Sequence, residues 1–310
     1  MTKHLHTSAI ALALSLGATA ATAEDSFYQG QVIELSAGIF APLNTLQDTL
    51  TTPNGGGAQV QSTDALNFGL GPRIDVAYSR PLGNNARLIV DISAAEVTGD
   101  TTITIGATSE TFPGSYDDGY QLPSANDYDT TVKTEMATLR VGGEWAINPA
   151  WRVSAGLQAG QAAQDLEAFS QNSSRNITST SRNEMYGVFG GVSYYHGIND
   201  DMALRVSANL GVLENNFTYD YANIDSGGFT DQEASGTSSG TAYSAQIAAR
   251  LERNINDHSM MIFEIGYEGL SGIGNGADTF LDAEGTASTA HIDEDMIGAA
   301  YISAGYALRF

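Results

Sequence analysis

The chain closes on YISAGYALRF, Tyr301 to Phe310, a strict alternation of apolar with small or polar residues. Every second residue back from the end gives Phe310, Leu308, Tyr306, Ala304, Ile302 and Ala300, while Arg309, Ala307, Gly305, Ser303 and Tyr301 stand between them. The first set is apolar and the second is mostly small or polar. A period of two is the mark of a strand whose two faces meet different surroundings.

The same alternation recurs at about 31–41, 66–79, 87–97, 132–146, 151–161, 184–195, 202–213, 241–252, 260–270 and 296–310. Each segment is long enough to cross a bilayer as a tilted strand of roughly 9–11 residues. On the second, Phe68, Leu70, Ile74, Val76 and Tyr78 alternate with Asn67, Gly69, Gly71, Arg73 and Asp75. The sixth is less regular, because Phe189 stands among its polar-face positions. Connections near 80–86, 147–150, 196–201 and 253–258 are short and rich in turn formers. Those at about 42–65, 98–131, 162–183, 214–240 and 271–295 are long. Strict interleaving of long and short connections predicts an all-β, up-and-down antiparallel barrel of ten strands that crosses a membrane, both termini lying on the short-turn side. A soluble β-sandwich would hide its apolar face against a second sheet, and its topology does not predict long and short links in turn.

The first residues agree with that destination. Lys3, an apolar run over Ala9–Ala18 and the small residues Ala21-Thr22-Ala23 before Glu24 predict a signal peptide at 1–23, leaving 24–310 as a single barrel domain. The chain has no Cys, so no disulfide framework is possible. Its net charge of −23 repels phosphate backbones and argues against nucleic-acid binding.

Outward aromatic residues should gather at the two lipid–water interfaces. Tyr78, Trp145, Trp151, Tyr194 and Phe310 fall at the short-turn rim; Phe68, Tyr186, Tyr243 and Tyr267 fall at the other. Phe40 is at girdle level but has inward parity. With Phe310, Leu308 and Tyr306 two apart, the terminal strand resembles the closing strand of Gram-negative outer-membrane proteins. That resemblance implies an outer-membrane location, contact with outer-membrane lipid, and recognition of these three residues by the secretion and barrel-assembly machinery. FGLGPRIDVAYSRPLG at 68–83 is similar to the early hairpin of major-outer-membrane-protein-like pore-forming families.

The inward parity predicts a lumen lined by Arg73, Asp75, Asp91, Arg140, Glu144, Arg152, Arg205, Arg250, Glu252, Glu264 and Glu268. Charges of both signs in a narrow interior should pair across strands. Two outcomes stand side by side, a salt-bridged plug and a narrow water-filled passage, since ten strands lie near the side-chain-filled end of barrel sizes while inward glycines such as Gly142, Gly156 and Gly266 free some volume. The function expected is therefore a small pore or structural envelope component. An adhesin or receptor is the alternative, carried by long acidic loops with Tyr116, Tyr120, Tyr128, Tyr219 and Tyr221. A ten-strand count also resembles the omptin surface proteases, which implies paired aspartates and a His–Asp couple at the outer rim. Only His196, His258 and His291 follow the signal segment; the first two fall in short turns, and His291 with Asp293 has no Asp-x-Asp pair on the facing strand tops. No enzyme is expected, and no cofactor. No segment has calcium-loop spacing, so no metal site is expected either.

Overall fold

The computed structural model describes residues 30–44, 48–51, 59–61, 67–83, 85–105, 126–170, 175–224, 230–273, 275–281, 287–293 and 296–310. Residues 1–23, read above as a signal peptide, lie outside them, as do loop residues Glu110, Tyr116, Asp117, Asp118, Tyr120, Asp225, Asp282, Glu284 and Glu294. The side chains of Phe68, Tyr128, Tyr219, Tyr221, His291 and Asp293 also lie outside the description.

Ten antiparallel strands close into a barrel. They are β1 Val32–Asn44, β2 Gly71–Pro81, β3 Ala86–Ile105, β4 Asn126–Ala146, β5 Trp151–Ser170, β6 Arg175–Asn199, β7 Met202–Ile224, β8 Thr230–Asn256, β9 Ser259–Ser271 and β10 Met296–Arg309. A two-residue piece, Asn67–Phe68, continues β2 and pairs with the same neighbour, β3. Each strand pairs with the next in sequence, and β1 pairs with β10 from Val32↔Arg309 to Asn44↔Gly298, so no edge is left open. Closure matters because an unpaired strand edge cannot be satisfied in hydrocarbon. At the long-loop end, Asn275–Leu281, Ala287–Asp293, Asp48–Thr51 and Gln59–Gln61 form a separate small sheet.

The short turns are built by asparagines that cap backbone N–H groups. Asn148 Oδ1 accepts from the amides of Ala150 and Trp151, both at 2.9 Å. Asn199 accepts from Asp201 N at 3.0 Å, and Asn256 from His258 N at 2.9 Å. These are the local side-chain bonds that make Asn a turn former.

Outward positions carry Leu35, Ile39, Ile74, Val76, Ile92, Leu139, Val141, Leu157, Val188, Leu210, Ile247, Phe263, Ile265 and Ile302, all of them exposed. An apolar belt running round the whole molecule far exceeds the few hundred Å² usual for a soluble monomer, and hydrocarbon is the solvent that matches it. Trp145, Tyr186, Tyr243 and Phe310 are exposed with outward parity, Phe310 at 74%. Tyr78, Trp151, Tyr194 and Tyr267 share that parity and are partly covered; Trp151 stacks on Tyr194 with ring centres 4.9 Å apart.

Strand length differs from the sequence expectation. The connections read at 162–183 and 214–240 are largely strand, and the one at 98–131 is strand at both described ends, to Ile105 and from Asn126: β5 runs to Ser170, β6 begins at Arg175, and β7 and β8 continue in register to Ile224 and Thr230. Beyond the belt both faces are polar, with Thr, Ser, Asn and Asp common, so alternation fades where lipid ends although the ladder goes on.

Candidate functional site

The lumen is filled in layers. Nearest the short turns, β3, β4, β5 and β7 bring Arg87, Arg152 and Arg205 around one carboxylate, Glu144. The distances are 2.5 Å from Arg87, 3.1 Å from Arg205 and 3.8 Å from Arg152. Arg152 and Arg205 lie over the ring of Tyr195 at 5.0 and 5.1 Å. Beside them Arg250 meets Glu34 at 2.6 Å and Glu252 at 2.9 Å. Glu144 and Glu252 are each only 2% exposed. A carboxylate so placed has lost its water, and the surrounding guanidinium groups replace it.

Toward the long-loop end, β2, β9 and β10 assemble a second group. Arg73, 2% exposed, meets Asp75 at 2.8 Å and Glu268 at 2.6 Å. It lies 3.9 Å from the centre of the Tyr301 ring. The Tyr301 hydroxyl donates to Glu264 at 2.8 Å.

Between the two groups is a cavity of about 130 Å³, lined among others by Asp91, Arg140, Ser207 and Asn209. Its polar walls suit water, and it exceeds the roughly 10–15 Å³ that one water needs. Arg140 donates to Gln158 at 3.2 Å and to Gln246 at 2.5 Å.

An apolar layer crosses the lumen above these groups. Phe40, Val97, Met136, Met185, Leu213, Leu270 and Ile297 point inward together with Ile273 and several alanines, all at 8% exposure or less. Every strand except β2 contributes. Ile273 comes from the segment after β9, where Gly272 has φ +71°. Any Cβ on Gly272 would lie 2.5 Å from the Thr241 carbonyl oxygen. A water-filled passage is thus not what the described residues form.

The expected free volume at inward glycines is taken by rings. A Cβ on Gly156 would lie 2.9 Å from Phe189, and one on Gly266 would lie 2.5 Å from Tyr301. The Phe at an inward position of the sixth segment therefore fills the space at Gly156, its cross-strand partner, whereas Gly142 is approached by the Ala155 backbone.

All eleven lumen charges expected from sequence are inward, and the structure brings them together except at Asp91 and Arg140, whose charged ends do not pair. Two members were missed, Glu34 and Arg87. Both had a signal: Glu34 stands between Ile33 and Leu35 on the polar parity of its segment, and Arg87 shares the parity of Asp91. Outside the belt, Lys133 bridges Glu96 at 3.2 Å and Glu135 at 2.5 Å. Hydrogen bonds to Glu135 and then Glu96 hold its ammonium above the usual lysine range.

No protein family matches the sequence, and no curated protein does. Solved structures do match in shape. The outer-membrane protease OmpT from Escherichia coli superposes with a TM-score of 0.58 at 13% identity, over 91% of this chain and 97% of that one. The translocator domain of autotransporter NalP from Neisseria meningitidis gives 0.43 at 12% identity, over 91% and 90%. A FadL homologue of Pseudomonas aeruginosa gives 0.34 at 11%, over 93% and 92%. The last two are too loose to bear on architecture. The fold is that of the outer-membrane β-barrels, and at this identity the likeness reaches no further than the fold.

Proposed function

We propose that the protein is a closed structural barrel of the Gram-negative outer membrane, with its short turns in the periplasm and its extended strands outside the cell. It works as neither an open pore nor an enzyme. The observation that carries this reading is the double filling of the lumen, by the apolar layer around Leu213 and Ile297 and by the ion pairs around Glu144. Purified protein in planar bilayers is expected to stay silent at moderate voltage. Steady openings that change on neutralising Arg73, Arg140 or Arg205 would replace this reading with the pore, to which the resemblance of residues 68–83 would then attach.

An adhesin role is the second reading, and one observation favours it. β6, β7 and β8 stay paired well beyond the apolar belt, to Ile224↔Asn176 and Ile224↔Thr230, which makes a sheet able to hold loops away from the membrane. Loss of cell or ligand binding on trimming residues 218–237, the outer part of the β7–β8 extension, would support it.

Biogenesis gives a further expectation. Phe310, Leu308 and Tyr306 form an exposed outward ladder at the chain end, available to an assembly machinery before β10 pairs. Deleting Phe310 is expected to leave precursor in the periplasm, whereas Arg309→Ala should assemble normally. Equal surface levels for the two variants, measured by protease shaving of whole cells, would remove the terminal residue from the assembly signal.

A further inference from the structure

The lumen network pairs almost every charge it contains, and it keeps one pair apart. Asp91 of β3 and Arg140 of β4 are directly opposite in the ladder, the placement from which cross-strand ion pairs form readily. They do not form one. Among the described residues the Asp91 carboxylate accepts no hydrogen bond and has no cation within 4.0 Å, and it faces the 130 Å³ cavity. Arg140 is turned away to two neutral acceptors, Gln158 and Gln246.

That turning is itself supported from behind. Gln158 donates to Ser244 at 3.1 Å, Asn209 donates to the same Gln246 oxygen at 3.2 Å, and Gln246 donates to the Tyr301 hydroxyl at 3.2 Å. The guanidinium also lies 5.9 Å from the centre of the Phe189 ring. Bracing alone would be served better by closing Asp91 onto Arg140, because separated charges in a poorly hydrated interior are costly. Holding them open with a shell of amides and hydroxyls is how a binding site is preorganised.

We propose that this cavity binds a small zwitterion, its ammonium on Asp91 and its carboxylate on Arg140. The volume is ample for glycine, the smallest α-amino acid. This site is separate from the closed-barrel reading, since a chamber sealed on one side binds without conducting.

Equilibrium dialysis of the detergent-solubilised full barrel against radiolabelled glycine tests the proposal. Saturable binding of one glycine per chain is expected, with acetate or methylammonium each at least tenfold weaker as competitors. Asp91→Asn and Arg140→Gln should each weaken glycine binding at least tenfold. Absence of saturable binding to the unaltered protein would overturn the site, as would acetate competing as well as glycine. The competition data use the native sequence, so they stand whether or not the variants fold.

Discussion

Replacing Glu144 by Gln is expected to cost the barrel about 3–5 kcal/mol, the range for breaking a buried ion pair by removing one partner. The side chain is 2% exposed and is the shared counter-charge of Arg87, Arg152 and Arg205. An amide can still accept a hydrogen bond from Arg87, but three guanidinium groups then face one another over Tyr195 without a negative charge between them. Glu268→Gln should cost clearly less, because Arg73 keeps Asp75 at 2.8 Å. Trp145 and Trp151 flank the turn next to Glu144 and are the only two tryptophans, so their fluorescence during urea unfolding in lipid vesicles reports on this end of the barrel. A loss below about 1 kcal/mol for Glu144→Gln would mean that water replaces the carboxylate and that the layer is hydrated.

The second large effect concerns the outer face. Ile302 lies midway along β10, is exposed, and pairs with Ile39 on one side and Ile265 on the other. Arg in its place is expected to cost about 2–4 kcal/mol, the figure for a cation at the bilayer midplane. Leu308→Arg, at the rim of the same strand, should cost about 0–1 kcal/mol. Reversible unfolding from vesicles gives both numbers. Equal costs at the two positions would show that the belt does not span a bilayer in the assumed depth order.

Much of this molecule is legible in its sequence because a barrel wall has only two sides. Parity alone assigned Ile302 outward and Ser303 inward, put Phe40 and Phe189 in the lumen, and placed eleven charges there before any contact was known. Strand number followed from the alternation of short and long connections, since each short turn is announced by Asn, Asp or Pro. Strand length did not follow. Alternation measures how far lipid reaches along a strand, and above the lipid β6, β7 and β8 continue on Thr, Ser and Asn with nothing to contrast their faces.

What parity cannot supply is depth around the ring. Whether Arg205 meets Glu144 or Glu34 depends on the stagger between strands far apart in sequence, and that is set when β1 and β10 close the barrel with Val32 opposite Arg309. The same closure lines up Phe40, Met185, Leu213 and Ile297 from four separate strands into one layer, turning inward apolar residues that look like exceptions one at a time into a seal. It also decides that Arg140 leans on Gln158 and Gln246 instead of Asp91. The fold, the two faces and all but two of the lumen charges follow from the local period of the chain, which repeats in every strand. Which charges meet and which one pair stays apart depend on distances across the lumen that no single strand contains.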